Sequence, residues 1–333
     1  MYSPICCALP TSLVRVKAMS DIASAFAPAS IGNVGVGFDM LGLALSGAGD
    51  RVVARRTDNE RVSVSEVRGL DGELHPYLST NAAENTASIA AQALWDAHGD
   101  EGSVELKVHK GVPLQSGMGS SAASAVAAVV AANALLDSPL STEALLPYAL
   151  EGEKYASGGM HTDNVAPSLF GGLILCPEIL LPEIIRLPIP EGVSAVLLHP
   201  DLLVNTAHAR RALPKSVLLK LWLDQQGLLA GFIHACAAGN IDLIGQTLRD
   251  VVVETHRKGN VPCFDSVVAA ACKSGALGCT LSGSGPSIFA LCRDGDAQNL
   301  ASAMEQACRA EGIGCQSWVS SMNAPGAHIE SEE

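Results

Sequence analysis

The spacing of apolar positions along the chain predicts its elements. Val104, Leu106 and Val108 alternate with Glu105, Lys107 and His109, the pattern of a strand with one wet face. β-Branched or alternating residues predict further strands over 25–27, 52–54, 62–67, 194–199, 278–281, 287–292 and 317–319. Between residues 85 and 98 the apolar positions Ala87, Ile89, Ala90, Ala93 and Leu94 fall on one helical face. Helices are also predicted over 120–136, 142–156, 218–238, 241–254 and 297–311, with 28–37, 111–119 and 157–167 as loops. Strands with one wet face, mixed with helices, predict an α+β fold in two lobes rather than a doubly wound parallel sheet. Pro167, Pro177, Pro182, Pro188 and Pro190 crowd one stretch and mark a boundary there. The expected division is a flexible tail over 1–20, a first domain over 21–178 and a second over 179–333.

Composition supports two ordered domains. At 333 residues the chain is about twice the usual ~150 per domain. It is 48% hydrophobic and 17% charged, which excludes wholesale disorder. A net charge of −13 repels nucleic-acid backbones and anionic lipid headgroups, so neither is an expected partner. An anionic small molecule would need a local site made of backbone N–H groups or a few placed Arg and Lys. The apolar run from Ala122 to Leu136 is too short for the ~20 residues of a bilayer crossing, and the first twenty residues lack the apolar core of a secretion signal. The ten cysteines form no C-x-x-C pair; Cys236, Cys263, Cys272, Cys279, Cys292, Cys308 and Cys315 read as buried, reduced thiols of a cytoplasmic protein.

The segment Pro113 to Ala122, between a strand and an Ala-rich helix, carries the most chemistry. Gly117 and Gly119 permit backbone conformations that aim several N–H groups into one concavity. Ser120 and Ser121 add hydroxyls at a helix N-terminus, a favourable place for phosphate. A Walker loop is excluded, because no Gly-Lys dipeptide occurs anywhere. Gly117, Gly119 and Ala122 fit the dinucleotide fingerprint formally, but Pro113 intervenes and no strand leads to Asp137. A second Gly-dense segment runs from Pro28 to Asp39, where Asn33 and Asp39 could hold an amino group, or Asp39 could be a helix cap. A third holds Glu153, an oxygen donor suited to Mg²⁺, with His161 and Asp163 as candidates for orientation or proton transfer. Thr206, Arg210 and Arg257 are candidate partners of a carboxylate. The turn from Leu281 to Pro286 is either a plain tight turn or a loop beside the phosphate site.

Together these segments resemble the GHMP kinase superfamily, whose Pro-x-x-x-Gly-Leu-Gly-Ser-Ser-Ala loop is matched from Pro113 to Ala122 with Met118 in the Leu position. Further matching motifs lie at 27–42, 161–172, 205–214, 229–236 and 282–286, in family order. The resemblance implies an N-terminal ATP-binding lobe like ribosomal protein S5 and a ferredoxin-like C-terminal lobe. It is similar in particular to members that use ATP to phosphorylate the side-chain hydroxyl of L-homoserine, a step toward threonine, commonly as homodimers. Carried over by position, Asn33, Asp39, His161, Asp163, Asn164, Thr206, Arg210 and Arg257 would surround the amino acid. Asp39 would face its ammonium, and the two arginines its carboxylate. Asn85, Lys110, Pro113 and the loop of Gly117, Met118, Gly119, Ser120, Ser121 and Ala122 would hold ATP, with Ser121 and Glu153 on Mg²⁺. For proton transfer the resemblance implies either Asp163 or a γ-phosphate oxygen.

Overall fold

An antiparallel ladder between β1 (Ile22–Gly32) and β2 (Leu41–Thr57) is the spine of the first sheet. The computed structural model describes residues 21–99 and 101–330, so the expected tail lies outside the described residues. The first sheet runs β11 (His328–Glu330), β1, β2, β4 (Ser103–His109), β3 (Ser63–Arg68), with β5 (Leu173–Leu175) and β6 (Ile185–Arg186) extending the upper part of β2. The second sheet, β10 (Cys315–Ser321), β7 (Val193–Pro200), β9 (Ile288–Arg293), β8 (Ala276–Leu281), is antiparallel throughout. Of all these pairings only β3 with β4 is parallel, in keeping with the α+β expectation. The chain leaves the first sheet after β6 and returns to it at β11.

Three apolar clusters hold these layers together. The first packs α1 (Thr86–His98), α2 (Ser120–Ala134), α3 (Thr142–Ser157) and α4 (Thr162–Phe170) on the first sheet, through residues such as Ala90, Leu94, Val126, Leu145 and Val165. The second is shared between the sheets: Ile31, Leu41 and Leu43 meet Leu197, Phe289 and Leu291, with Phe232 from α6 (Leu219–Ala238) and Ile244 from α7 (Ile241–Thr247). In the third, α9 (Phe264–Lys273) and α10 (Ala297–Ala310) cover the second sheet. Two short helices, α5 (Thr206–Arg211) and α8 (Glu254–Arg257), stand at the junction.

Several expectations need correction. The loop predicted from residue 28 is strand as far as Gly32. Pairing continues there after the register jumps between Pro28 and Ala29, from Gly49 to Leu45, so a Pro at a ladder irregularity hid an ordered strand. The polar loop over 157–167 contains the start of α4, which keeps Pro167 inside it. Pro167 has no N–H for the Asp163 carbonyl; that carbonyl lies against Gly42, where a Cβ would meet it at 1.9 Å. The helix predicted over 241–254 stops at Thr247, because the Asp250 carboxylate accepts the N–H groups of Val252, Val253 and Glu254 and folds a turn that starts α8. Of the cysteines expected inside, Cys236, Cys263, Cys292 and Cys308 are buried, but Cys279 and Cys315 are half-buried and Cys272 is exposed on the outer side of α9.

Candidate active site

The two Gly-rich segments and the polar segment before α4 converge on one cleft of about 360 Å³. Its floor is the start of α2. Gly119, at φ +66°, is the N-cap of that helix and no side chain caps it. First-turn N–H groups have no intrahelical acceptor, and Gly119, Ser120 and Ser121 line the cleft. Neighbouring α1 and α5 differ, since Asn85 and Asn205 cap them. Both glycines of the loop are required: a Cβ on Gly117 would sit 2.5 Å from the Ser282 carbonyl, and one on Gly119 would sit 2.2 Å from Ser30 Oγ. The turn left undecided by its composition presses on this loop. Ser282 Oγ donates to the Gly117 carbonyl (2.6 Å), and the Gly283 N–H donates to the Gly32 carbonyl (3.0 Å).

Behind the loop stand three linked polar side chains. Ser121 Oγ donates to Glu153 Oε2 at 2.6 Å, and Glu153 Oε1 lies 3.1 Å from His161 Nδ1. Burial alone would lower the His161 pKa, but the Glu153 carboxylate raises it above the ordinary imidazole value. A hydroxyl beside a buried carboxylate is a hard-oxygen donor set of the kind Mg²⁺ takes when phosphates complete its shell, so the residues fit that ion. Among the described residues no group of three acidic, His or Cys side chains forms a protein-only metal cage.

Asp163, at the start of α4, is 2% exposed. Its Oδ2 accepts the Asn33 N–H (3.0 Å) and its Oδ1 accepts from Asn164 Nδ2 (3.2 Å), while Asn164 Oδ1 accepts from Ser30 Oγ (3.0 Å). Burial first, then the negative Asp39, push the Asp163 carboxyl up to about 6. Asn33 and Asp39 themselves hold φ values of +66° and +55°, left-handed conformations fixed by the Asp39 N–H bonding to Asn33 Oδ1 at 3.0 Å.

Two guanidinium groups of the same cleft lie over the ring of Phe38, 5.6 Å (Arg210) and 5.3 Å (Arg257) from its centroid. Arg210 grips Asp39 through both carboxylate oxygens, at 2.7 and 2.9 Å. Arg257 is buried and donates to the Gly283 carbonyl (2.9 Å), and its Nε is a buried donor without an acceptor. Burial lowers its pKa from the ordinary value. Thr206 Oγ1 lies 3.3 Å from Ser284 Oγ.

Not every expected residue reaches the cleft. Met118 and Ala122 are buried in the second and first apolar clusters, and Pro113 is not among the lining residues. Asn85 reaches it, but its side chain is engaged with the Ala87 N–H (3.0 Å) and the Ser79 carbonyl (2.9 Å). Lys110 also lines the cleft, yet its ammonium is bound to Asp50, the Ser120 carbonyl and Ser124 Oγ. Sequence reasoning missed Asp50, Phe38 as a spacer, and Ser284. Asp50 did leave a signal, because it shares the strand parity of the buried Val52 and Ala54.

An uncapped helix end, a carboxylate and hydroxyl beside it, and a pocket with opposed charges are the parts of a small-molecule kinase. The family models agree: the GHMP kinases N terminal domain matches residues 85–172 and the GHMP kinases C terminal model matches 232–310. The chain belongs to the GHMP kinases and, within them, to the homoserine kinase family. It is 42% identical to the homoserine kinase of Xanthomonas campestris pv. campestris (strain B100) over 92% of this chain and 94% of that protein. It is 40% identical to that of Xylella fastidiosa (strain M12) over the same shares. The crystal structure of homoserine kinase from Cytophaga hutchinsonii superposes with a TM-score of 0.89 at 40% identity, covering 94% of this chain and 99% of that one.

Proposed function

We propose that this protein transfers the γ-phosphoryl group of ATP to the side-chain hydroxyl of L-homoserine, giving ADP and O-phospho-L-homoserine on the way to threonine. The observation that carries this substrate is the ion pair of Arg210 with Asp39, one guanidinium nitrogen donating to both carboxylate oxygens, beside the acceptor-seeking Arg257. A zwitterionic amino acid supplies a carboxylate for the arginines and an ammonium for Asp39, and so replaces both halves of that pair. Mevalonate or shikimate brings a carboxylate but no ammonium to take the place of Arg210 at Asp39.

In this reading the triphosphate lies on the N–H groups at the start of α2, and the apolar end of the cleft, Val67, Leu78 and Val108, suits the base. Ser121 and Glu153 would hold Mg²⁺, which when bound neutralises charge on the transferring phosphoryl oxygens. His161 keeps the Glu153 carboxylate aimed at Ser121. Asp163, fixed by Asn33 and Asn164, receives the homoserine hydroxyl. The bond from the bridging oxygen to the γ-phosphorus breaks, the bond from the homoserine oxygen forms, and the hydroxyl proton passes to Asp163. Positioning supplies most of the rate, as is usual for phosphoryl transfer.

Among the described residues no helix is long and apolar enough to cross a membrane. A cytoplasmic homodimer belongs to the same reading; the exposed row Leu218, Leu219, Trp222 and Leu223 at the start of α6 is apolar surface that a second copy would cover. The test of function is an ADP-release assay across homoserine, mevalonate, shikimate and serine with Mg-ATP. Homoserine is expected to be turned over best. Activity on none of the four, with Mg-ATP bound, would remove the substrate assignment.

A further inference from the structure

We propose that Asp50 and Lys110 are positioning residues for the phosphate loop: a buried ion pair that ties the strand entering the loop to the first turns of α2, and so fixes the curvature on which nucleotide affinity depends. The proposal rests on the reading of that loop as the nucleotide site, and it gives Lys110 a role in shaping that site in place of direct contact with ATP.

Asp50 is 0% exposed and Lys110 is 6% exposed. Asp50 Oδ1 accepts the N–H groups of Gly111 (2.9 Å) and Val112 (3.1 Å), and Oδ2 accepts from Ser124 Oγ (2.6 Å) and from Lys110 Nζ. Lys110 Nζ donates in addition to the Ser120 carbonyl and to Ser124 Oγ, both at 2.8 Å. An ammonium has three N–H groups, and these partners take all of them. The Ser120 hydroxyl completes the tie by donating to the Val112 carbonyl at 2.9 Å. Gly111 lets the strands approach this closely, since a Cβ there would lie 2.0 Å from the Gly49 carbonyl.

The consequence is geometric. Residues 113–119 must close between Val112 and Ser120, and both ends are held by the same charge cluster. A short loop with pinned ends has few conformations open to it, so its N–H groups stay aimed into the cleft before any ligand arrives. Buried ion pairs add little net stability compared with apolar packing, which makes specification of one geometry the better account of this one.

Asp50→Asn, Lys110→Met, Lys110→Arg and the double variant Asp50→Asn with Lys110→Met test this through the KM of ATP, the KM of homoserine and thermal melting. Each single variant is expected to raise the KM of ATP about tenfold, a cost of about 1.4 kcal/mol, while the KM of homoserine stays within about twofold. The double variant is expected to be no worse than either single change, because both remove one interaction. Lys110→Arg, which keeps the charge and loses the fit, is expected to behave like Lys110→Met. If Lys110 instead touches phosphate, Lys110→Arg keeps affinity and Asp50→Asn leaves the KM of ATP unchanged or lowers it; either result overturns the proposal. Should a lone buried charge unfold a single variant, the charge-free double variant decides, and a wild-type KM for ATP in it is equally fatal. Absence of Mg-ATP binding to the unaltered protein, read by titration with a fluorescent ATP analogue, would defeat the nucleotide reading itself and this proposal with it.

Discussion

Asp163→Asn should make the protein a poorer catalyst and a more stable fold at the same pH. The Asp163 carboxyl is pushed up to about 6 from its ordinary 3.8, chiefly by burial. Between about pH 4 and 6 the folded chain holds a proton that the unfolded chain has released, so stability falls across that window and stays lower above it. A shift of about two units corresponds to roughly 3 kcal/mol of strain carried by the ionised fold at pH 8. Asn removes that strain, but it offers one acceptor where the carboxylate offered two, to the Asn33 N–H and to Asn164 Nδ2. One lost hydrogen bond costs about 1 kcal/mol, which leaves a net gain of about 2 kcal/mol. With an unfolding entropy on the order of 0.7 kcal/mol/K for a chain of this length, the melting temperature should rise by about 3 °C at pH 8. Melts at pH 8 and pH 4.5 read this directly, and at pH 4.5 the advantage should vanish. In steady state, kcat should fall by about 10²–10⁴-fold with the KM of ATP little changed. The wild-type fall in kcat/KM below pH 6 should be absent from the variant. A melting temperature at pH 8 equal to or below wild type would refute the strain argument. A raised KM for homoserine at near-normal kcat would refute the role as proton acceptor and leave Asp163 a binding residue.

Other expectations follow from single contacts. Phe38→Leu removes the ring that both Arg210 and Arg257 contact; at about 0.5–1 kcal/mol for each cation–π contact, the KM of homoserine should rise about tenfold with the KM of ATP unchanged, in the same steady-state assay. Glu153→Gln takes the negative charge from the donor pair with Ser121, so the Mg²⁺ concentration for half-maximal rate should rise at least about tenfold, read by titrating Mg²⁺ at fixed ATP. Gly119→Ala meets both the left-handed φ of +66° and Ser30 Oγ. Melting and nucleotide titration should show a loss of about 1–2 kcal/mol in stability and weaker ATP binding, which a second change, Ser30→Ala, recovers only in part because the φ strain remains.

The parts of this molecule that could be read in the sequence are those whose signal is local. The strand at 103–109 announces itself by alternation, and α1 and α10 by their apolar faces. The loop from Gly117 to Ser121 is recognisable because left-handed backbone and a free helix end both need small residues at fixed spacing. What stayed hidden depends on residues distant in sequence. β1 through Ala29 and Ile31 looks like a loop until β2 pairs with it, and α4 looks like a loop because its Pro167 breaks the helical pattern. Lys110 beside a Gly-rich turn was expected from the resemblance to hold ATP, and the partner that engages it, Asp50, lies 60 positions away. Arg210 and Asp39, expected at different ends of a ligand, meet each other across 171 positions.

The charge of the whole chain and the charge of the site can now be set against each other. A net charge of −13 opposes a triphosphate at long range. Within the cleft, Lys110 beside the Gly-rich loop is neutralised by Asp50, and the two arginines stand against Phe38 and Gly283, in the pocket proposed for the amino acid. In the proposed reading, attraction for phosphate therefore falls to peptide dipoles at the start of α2, whose reach is about one helical turn, together with the divalent ion that the Ser121 and Glu153 oxygens would hold. Such short-range attraction is screened by salt far less than a patch of surface lysines would be. The pocket proposed for the amino acid is insulated differently, because Asp39 and Arg210 are both partly exposed and, in that reading, exchange each other for the substrate's two charges. Rising salt weakens the internal pair and the incoming zwitterion alike, so the exchange itself is little affected, and the KM of either substrate should move little between low and physiological ionic strength.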